Sequence, residues 1–139
     1  MTETNQRRID VFFYGLFMDE ALLIERGVDP QDRRIAQLKN FCLVIGQRAT
    51  LMPRAREEVY GVVFSLTHRE VDLLYSESSV REYRPEAVSV HLRDGNIIPA
   101  LCFNLPSSRL FDERNVQYAA KLKQLAERIG LPAEYVGSI

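Results

Sequence analysis

Apolar positions along this chain follow two rhythms, one of strands and one of helices. Residues 9–13 are β-branched and aromatic apart from Asp10, which predicts a buried strand ending where Gly15 breaks the pattern. Asp19 is placed to cap a short helix through Ala21, Leu22, Leu23 and Ile24. Gly27 closes that helix, and Asp29-Pro30 forms a turn. From Ile35 to Gly46 the chain is extended again. Phe41, Leu43 and Ile45 share one face and Cys42 and Val44 the other, and two apolar faces predict a central strand. Residues 47–58, with Pro53 and the charges of Arg54, Arg56, Glu57 and Glu58, predict a mixed-charge surface connection. The strand pattern returns over 59–66 with Tyr60, Val62, Phe64 and Leu66 on one face, and Gly61 within it marks a close approach.

Thr67-His68-Arg69-Glu70 is a capping box that starts a helix of about two turns, with Val71, Leu74 and Tyr75 facing inward. A strand follows from about Tyr83, edged by Pro85. Val88, Val90 and Leu92 alternate in it with Ser89, His91 and Arg93 before an Asp94-Gly95 hairpin and a return strand over 97–105. Residues 106–108 close the sheet region. The longest helix is expected from about Glu113 to Ile129, with Tyr118, Leu122, Leu125 and Ile129 at helical spacing and Gly130 and Pro132 as stop signals. Mostly strands, with helices set between or after them, predict an α+β domain whose mixed or antiparallel sheet curls around a core.

Length and charge narrow the function classes. At 139 residues, 46% of them hydrophobic, the chain has the size of one domain, expected over 9–139 with residues 1–8 as a flexible tail. Eighteen basic and nineteen acidic side chains give a net charge of −1, so no overall field attracts nucleic acid or an anionic membrane, and a small neutral or zwitterionic partner is expected. No apolar run is long enough to span a bilayer. Cys42 and Cys102 lie in apolar runs without metal-ligand spacing, which predicts reduced core thiols in a cytoplasmic protein and no metal site. His68 and His91 are expected on solvated faces.

Candidate chemistry gathers where the helix after Thr67 gives out. Glu77 stands at that junction, with apolar Leu74, Val80 and Tyr83 close in sequence. Partial desolvation there suits a carboxylate to accept a proton. Taken alone, Glu77 reads first as a solvated loop glutamate, and Tyr14-Gly15 as a strand end with an aromatic packed beside it.

Four motifs in order change that balance: Tyr14-Gly15-Leu16-Phe17, Val59-Tyr60-Gly61-Val62-Val63-Phe64, Glu77 followed by Tyr83-Arg84, and Gly130-Leu131-Pro132-Ala133-Glu134-Tyr135. Together they resemble the γ-glutamylcyclotransferase-like, or AIG2-like, family, and the spacing from Glu77 to Tyr83, with Ser78 after the glutamate, is most similar to its γ-glutamylamine cyclotransferase branch. The resemblance implies a small barrel-like sheet with flanking helices and a cavity where the first-strand loop faces the glutamate. It implies a reaction in which the α-amine of a γ-glutamyl amine or peptide attacks its own γ-carbonyl, releasing 5-oxoproline and the free amine, with no metal or cofactor. Carried over, Glu77 is the general acid and base, and the backbone of Tyr14, Gly15, Leu16 and Phe17 cradles a carboxylate or oxyanion. Tyr83 lines the cavity, and Arg48 supplies charge for a carboxylate.

Two positions depart from the family pattern. Leu16 stands where a small polar residue is usual, and Leu74 where an aspartate usually precedes the glutamate by three positions. These departures motivate an alternative from another class, a non-catalytic module that binds a γ-glutamyl or other carboxylate-bearing metabolite. A partner-binding role through residues 47–58 is a third.

Overall fold

In a computed structural model that describes residues 7–106 and 114–139, the frame is a pair of long antiparallel strands, β2 (Gln31–Ile45) and β3 (Ala49–Thr67). With β1 (Arg8–Phe13), β4 (Arg84–Leu92) and β5 (Ile97–Asn104) they form a closed barrel in the order β1-β3-β2-β4-β5. Neighbouring strands run antiparallel except β1 and β5, which meet in parallel at Val11 and Leu101 and close the ring. The fold is thus α+β with a mixed, barrel-like sheet, as the order of elements predicts.

Successive residues of a strand point to opposite faces, so the full burial of Val62, Val63 and Phe64 means that β3 is covered on both sides. Val11, Phe12, Leu66, Val90 and Cys102 complete the centre of the core. The close approach expected at Gly61 is that of β1: a Cβ there would lie 2.2 Å from the carbonyl oxygen of Phe13 and 2.8 Å from the Phe12 ring. Among the described residues, four α-helices flank the barrel. Asp19 caps α1 (Glu20–Glu25) through Ala21 N–H, and the Thr67–Glu70 box starts α2 (His68–Leu74) with both of its reciprocal hydrogen bonds present. α3 (Val116–Ile129) buries Ala119, Leu122, Leu125 and Ala126, and ends at Gly130 with a φ of 93°.

Several expectations are corrected. Residues 47–58 are not a surface connection: only 46–48 turn, and the rest is the first half of β3, paired with β2. Pro53 is tolerated because this half of β3 pairs on one side only, and the charges of Arg54, Arg56, Glu57 and Glu58 are exposed on a strand. A bulge marks where this two-stranded arm leaves the barrel. Asn40 and Arg56 both have positive φ, and the Asn40 side chain accepts from the Arg56 N–H at 3.2 Å. β2 begins at Gln31 rather than Ile35, and Arg8, placed in the tail, pairs with Thr67 inside β1. The expected start of the last long helix at Glu113 and the closing residues 107–108 lie outside the described residues; Asn115 caps α3. Beyond the stop signals Gly130 and Pro132 a further short helix, α4 (Ala133–Gly137), follows. Cys102 is buried and free, its thiol pushed up to about 12 by burial, whereas Cys42 is free but only half-buried. His68 is exposed as expected, but His91 is half-buried in a shallow pocket beside Tyr60 and Pro132.

Candidate active site

At the end of β1 the chain turns across the mouth of the barrel. Tyr14 is buried and its hydroxyl donates to the Phe103 carbonyl at 2.7 Å, tying the end of β1 to the end of β5. Gly15 then opens a single 3-10 turn, Leu16–Met18, held by Met18 N–H to Gly15 O at 3.0 Å and Asp19 N–H to Leu16 O at 3.1 Å. Facing it, the chain leaves α2 in a run of turns over 75–83. There Glu77 accepts from the N–H groups of Val80 and Arg81 through its backbone carbonyl, at 3.1 and 2.9 Å. Between the two segments lies a cavity of about 240 Å³, below the roughly 300–1,000 Å³ of drug-sized ligand clefts and suited to a small molecule.

The cavity is aromatic in its walls and polar at a few points. Tyr75 stacks on Phe103 with centroids 4.0 Å apart and meets Phe17 edge-on at 6.0 Å, and Phe17 packs edge-on against Phe13 at 6.1 Å. Tyr118 reaches in from α3, its hydroxyl accepting from the Leu16 N–H at 3.4 Å. A Cβ on Gly15 would stand 2.6 Å from that hydroxyl, so the glycine makes room for Tyr118. Tyr83 donates its hydroxyl to the Ala49 carbonyl at 2.5 Å. Burial raises all four phenols above their ordinary range, Tyr118 to about 12, so near neutral pH they act as neutral hydroxyls and not as bases.

Among the described residues, two arginines line the cavity, and the 75–83 turn holds both. Arg48, in the turn between β2 and β3, pairs with Glu82 at 2.9 Å and donates to the Ser79 carbonyl at 3.3 Å. Arg26, at the end of α1, pairs with Glu77 and lies 5.8 Å from the centroid of the Phe17 ring. Among the sequence candidates, Tyr14, Gly15, Leu16, Phe17, Tyr83 and Arg48 therefore surround one cavity. Glu77 stands apart from the lining, at the rim. Its side chain is 48% exposed and contacts Arg26, so the apolar desolvation expected from its sequence neighbours is replaced by an ion pair. Leu74, the departure before it, is 1% exposed and anchors the start of the turn by packing.

Sequence reasoning missed Tyr118, whose helical spacing reads as core, and Arg26, an ordinary helix-end arginine. The small residue Gly15 opposite a tyrosine is a tertiary signal that a single sequence does not carry. Among the described residues, no three His, Cys, Asp or Glu side chains cluster as metal ligands, and no helix is long and apolar enough to cross a membrane.

The model of the AIG2-like family matches residues 58–139. The chain belongs to the AIG2-like family. Solved structures share the fold of the whole barrel. A gamma-glutamyl cyclotransferase superposes with a TM-score of 0.76 at 21% identity, over 95% of this chain and 86% of that one. YkqA from Bacillus subtilis gives 0.77 at 23% identity over 99% of this chain and 55% of its own length. An AIG2-like protein from Mus musculus gives 0.60 at 15% identity over 78% and 86%. At these identities the likeness is one of fold. No curated protein sequence matches the chain.

Proposed function

We propose that the cavity is the active site of a cyclotransferase that converts a γ-glutamyl amine or γ-glutamyl peptide to 5-oxoproline and the free amine. The observation that carries this reading is convergence: in an AIG2-like barrel, the 14–17 loop and the turn bearing Glu77 close on one small cavity. In the reaction the α-nitrogen bonds to the γ-carbonyl carbon, closing a five-membered ring, and the bond from that carbon to the departing nitrogen breaks. Glu77 takes a proton from the α-ammonium to release the attacking lone pair and gives it to the departing nitrogen; the second proton, lost by the ring nitrogen once the new bond has formed, follows the same route, so the amine leaves as an ammonium and the carboxylate is restored. Nucleophile and electrophile share one molecule, and the protein's work is to fold that molecule into ring geometry and to move a proton.

The other residues take supporting roles in this reading. The loop amides over 14–17 offer hydrogen bonds to a carboxylate or to the oxygen that gains charge as the ring closes. Tyr83, its proton committed to Ala49, presents an oxygen lone pair, and Arg48 adds positive charge to the wall. The free thiols of Cys42 and Cys102 accord with a cytoplasmic enzyme.

A second reading, a binding module for a γ-glutamyl or other carboxylate-bearing metabolite, is favoured by the pairing of Glu77 with Arg26 at the rim. Mass-spectrometric detection of 5-oxoproline after incubation with a panel of γ-glutamyl amines and dipeptides separates the two. Release supports the cyclotransferase. Calorimetric binding without release supports the module.

A further inference from the structure

An α-amino acid head group carries an ammonium and a carboxylate on one carbon, and the rim of the cavity holds their complements in contact. The Arg26 guanidinium lines the cavity against the Phe17 ring, and the Glu77 carboxylate pairs with it from outside the lining. The two come from separate segments, the end of α1 and the turn after α2, brought together only by the fold. Each member is opposite in charge to one half of the zwitterion, and a planar guanidinium matches a carboxylate in geometry as well as charge. Both are open to water, Arg26 at 35% and Glu77 at 48% of side-chain area, and a pair this exposed adds little to stability. Exchanging the internal contact for two contacts to a ligand therefore sacrifices little. Arg48 is placed differently, held by both Glu82 and the Ser79 carbonyl.

We propose that Arg26 anchors the substrate's α-carboxylate, so that Arg26 and Glu77 together recognise the α-amino acid head. This inference rests on the γ-glutamyl reading above and deepens it. With the carboxylate on Arg26 and the ammonium on Glu77, the proton to be removed already sits against its acceptor. The amides of the 14–17 loop are then left for the γ-carbonyl oxygen, where charge develops. The face of Phe17 holds the guanidinium at the mouth while its partner changes.

The test compares two substrates that differ only in the group Arg26 would bind. A γ-glutamyl amine and its α-carboxamide analogue are turned over by the unaltered protein, Arg26→Met and Arg26→Lys, with the released amine as readout. Arg26→Met is expected to raise KM for the acid about 10- to 100-fold, the range of a charge-assisted hydrogen-bonded contact, with kcat changed by less than about threefold. Arg26→Lys recovers part of that loss, and on the carboxamide all three proteins behave alike. A rise in KM of equal size on both substrates assigns Arg26 to holding Glu77 and overturns the inference, as does indifference of both substrates to Arg26→Met. Silence of the unaltered protein on the acid overturns the γ-glutamyl reading and this inference with it. That result is read before any variant is made, so the two failures are distinct.

Discussion

Gly61 and Gly15 are both crowded, and by different things. At Gly61, where β1 lies against β3, an added Cβ would meet the backbone oxygen of Phe13 at 2.2 Å and the Phe12 ring at 2.8 Å. At Gly15, beside the cavity, it would meet the Tyr118 hydroxyl at 2.6 Å and ring carbon Cζ at a comfortable 3.9 Å. The first neighbour is fixed in a strand ladder and cannot retreat. The second is the tip of a side chain, which can swing. The wall is therefore closed by backbone and the site by the tip of a side chain, and the same residue type secures the fold in one place and leaves it adjustable in the other.

The comparison is broken most severely at the wall. Gly61→Ala is expected to destabilise by about 3 kcal/mol or more, the upper end of overpacking costs, read as a shift of the urea midpoint. Alkaline titration comes next. Tyr118 ionises near 12 in the folded protein against 10.0 ordinarily, because burial disfavours its charged form. Its contribution is thus complete below pH 10 and is lost as pH rises through 10 toward 12, where the unfolded chain ionises first. The loss for this residue alone is on the order of 2–3 kcal/mol once the pH passes 12, and about half of that at pH 11. Urea midpoints at pH 8 and pH 11 measure it, and Tyr118→Phe removes its share.

The smaller effects sharpen the contrast. Gly15 has a φ of −112°, which any residue adopts, so Gly15→Ala meets only the Tyr118 hydroxyl and is expected to cost about 1 kcal/mol. Adding Tyr118→Phe should restore most of that cost, a coupling of about 1 kcal/mol in a double-mutant cycle. Equal cost with and without the hydroxyl contradicts this account of the glycine. Thr67→Ala removes the cap that joins the wall to the Glu77-bearing segment, and is expected to cost about 1 kcal/mol in thermal melts with the barrel intact.

Features encoded over a few residues were legible in the sequence. The Thr67–Glu70 capping box, the Asp19 cap and the Asp94-Gly95 hairpin each depend on groups within three or four positions, and each forms as read. The arm over 49–58 was not legible. Pro53 and its charged neighbours carry the composition of a loop, and only pairing with β2 makes the segment a strand. The site divides in the same way. Tyr14 to Phe17 and Tyr83 belong to a recognisable pattern, whereas Tyr118 and Arg26 acquire their places from packing between distant segments, as Tyr118 does opposite Gly15.

The measurement that bears most directly on the central claim is 5-oxoproline release by the unaltered protein and by Glu77→Gln, run side by side on the same γ-glutamyl panel with thermal melts of both. Glu77 is exposed at the rim, so the glutamine variant is expected to melt within about 1 °C of the parent, because surface changes away from structural features move stability little. Release by the parent that falls at least about 100-fold in the variant, the lower range for loss of a general acid–base group, is the predicted result. Equal release from both proteins would contradict it.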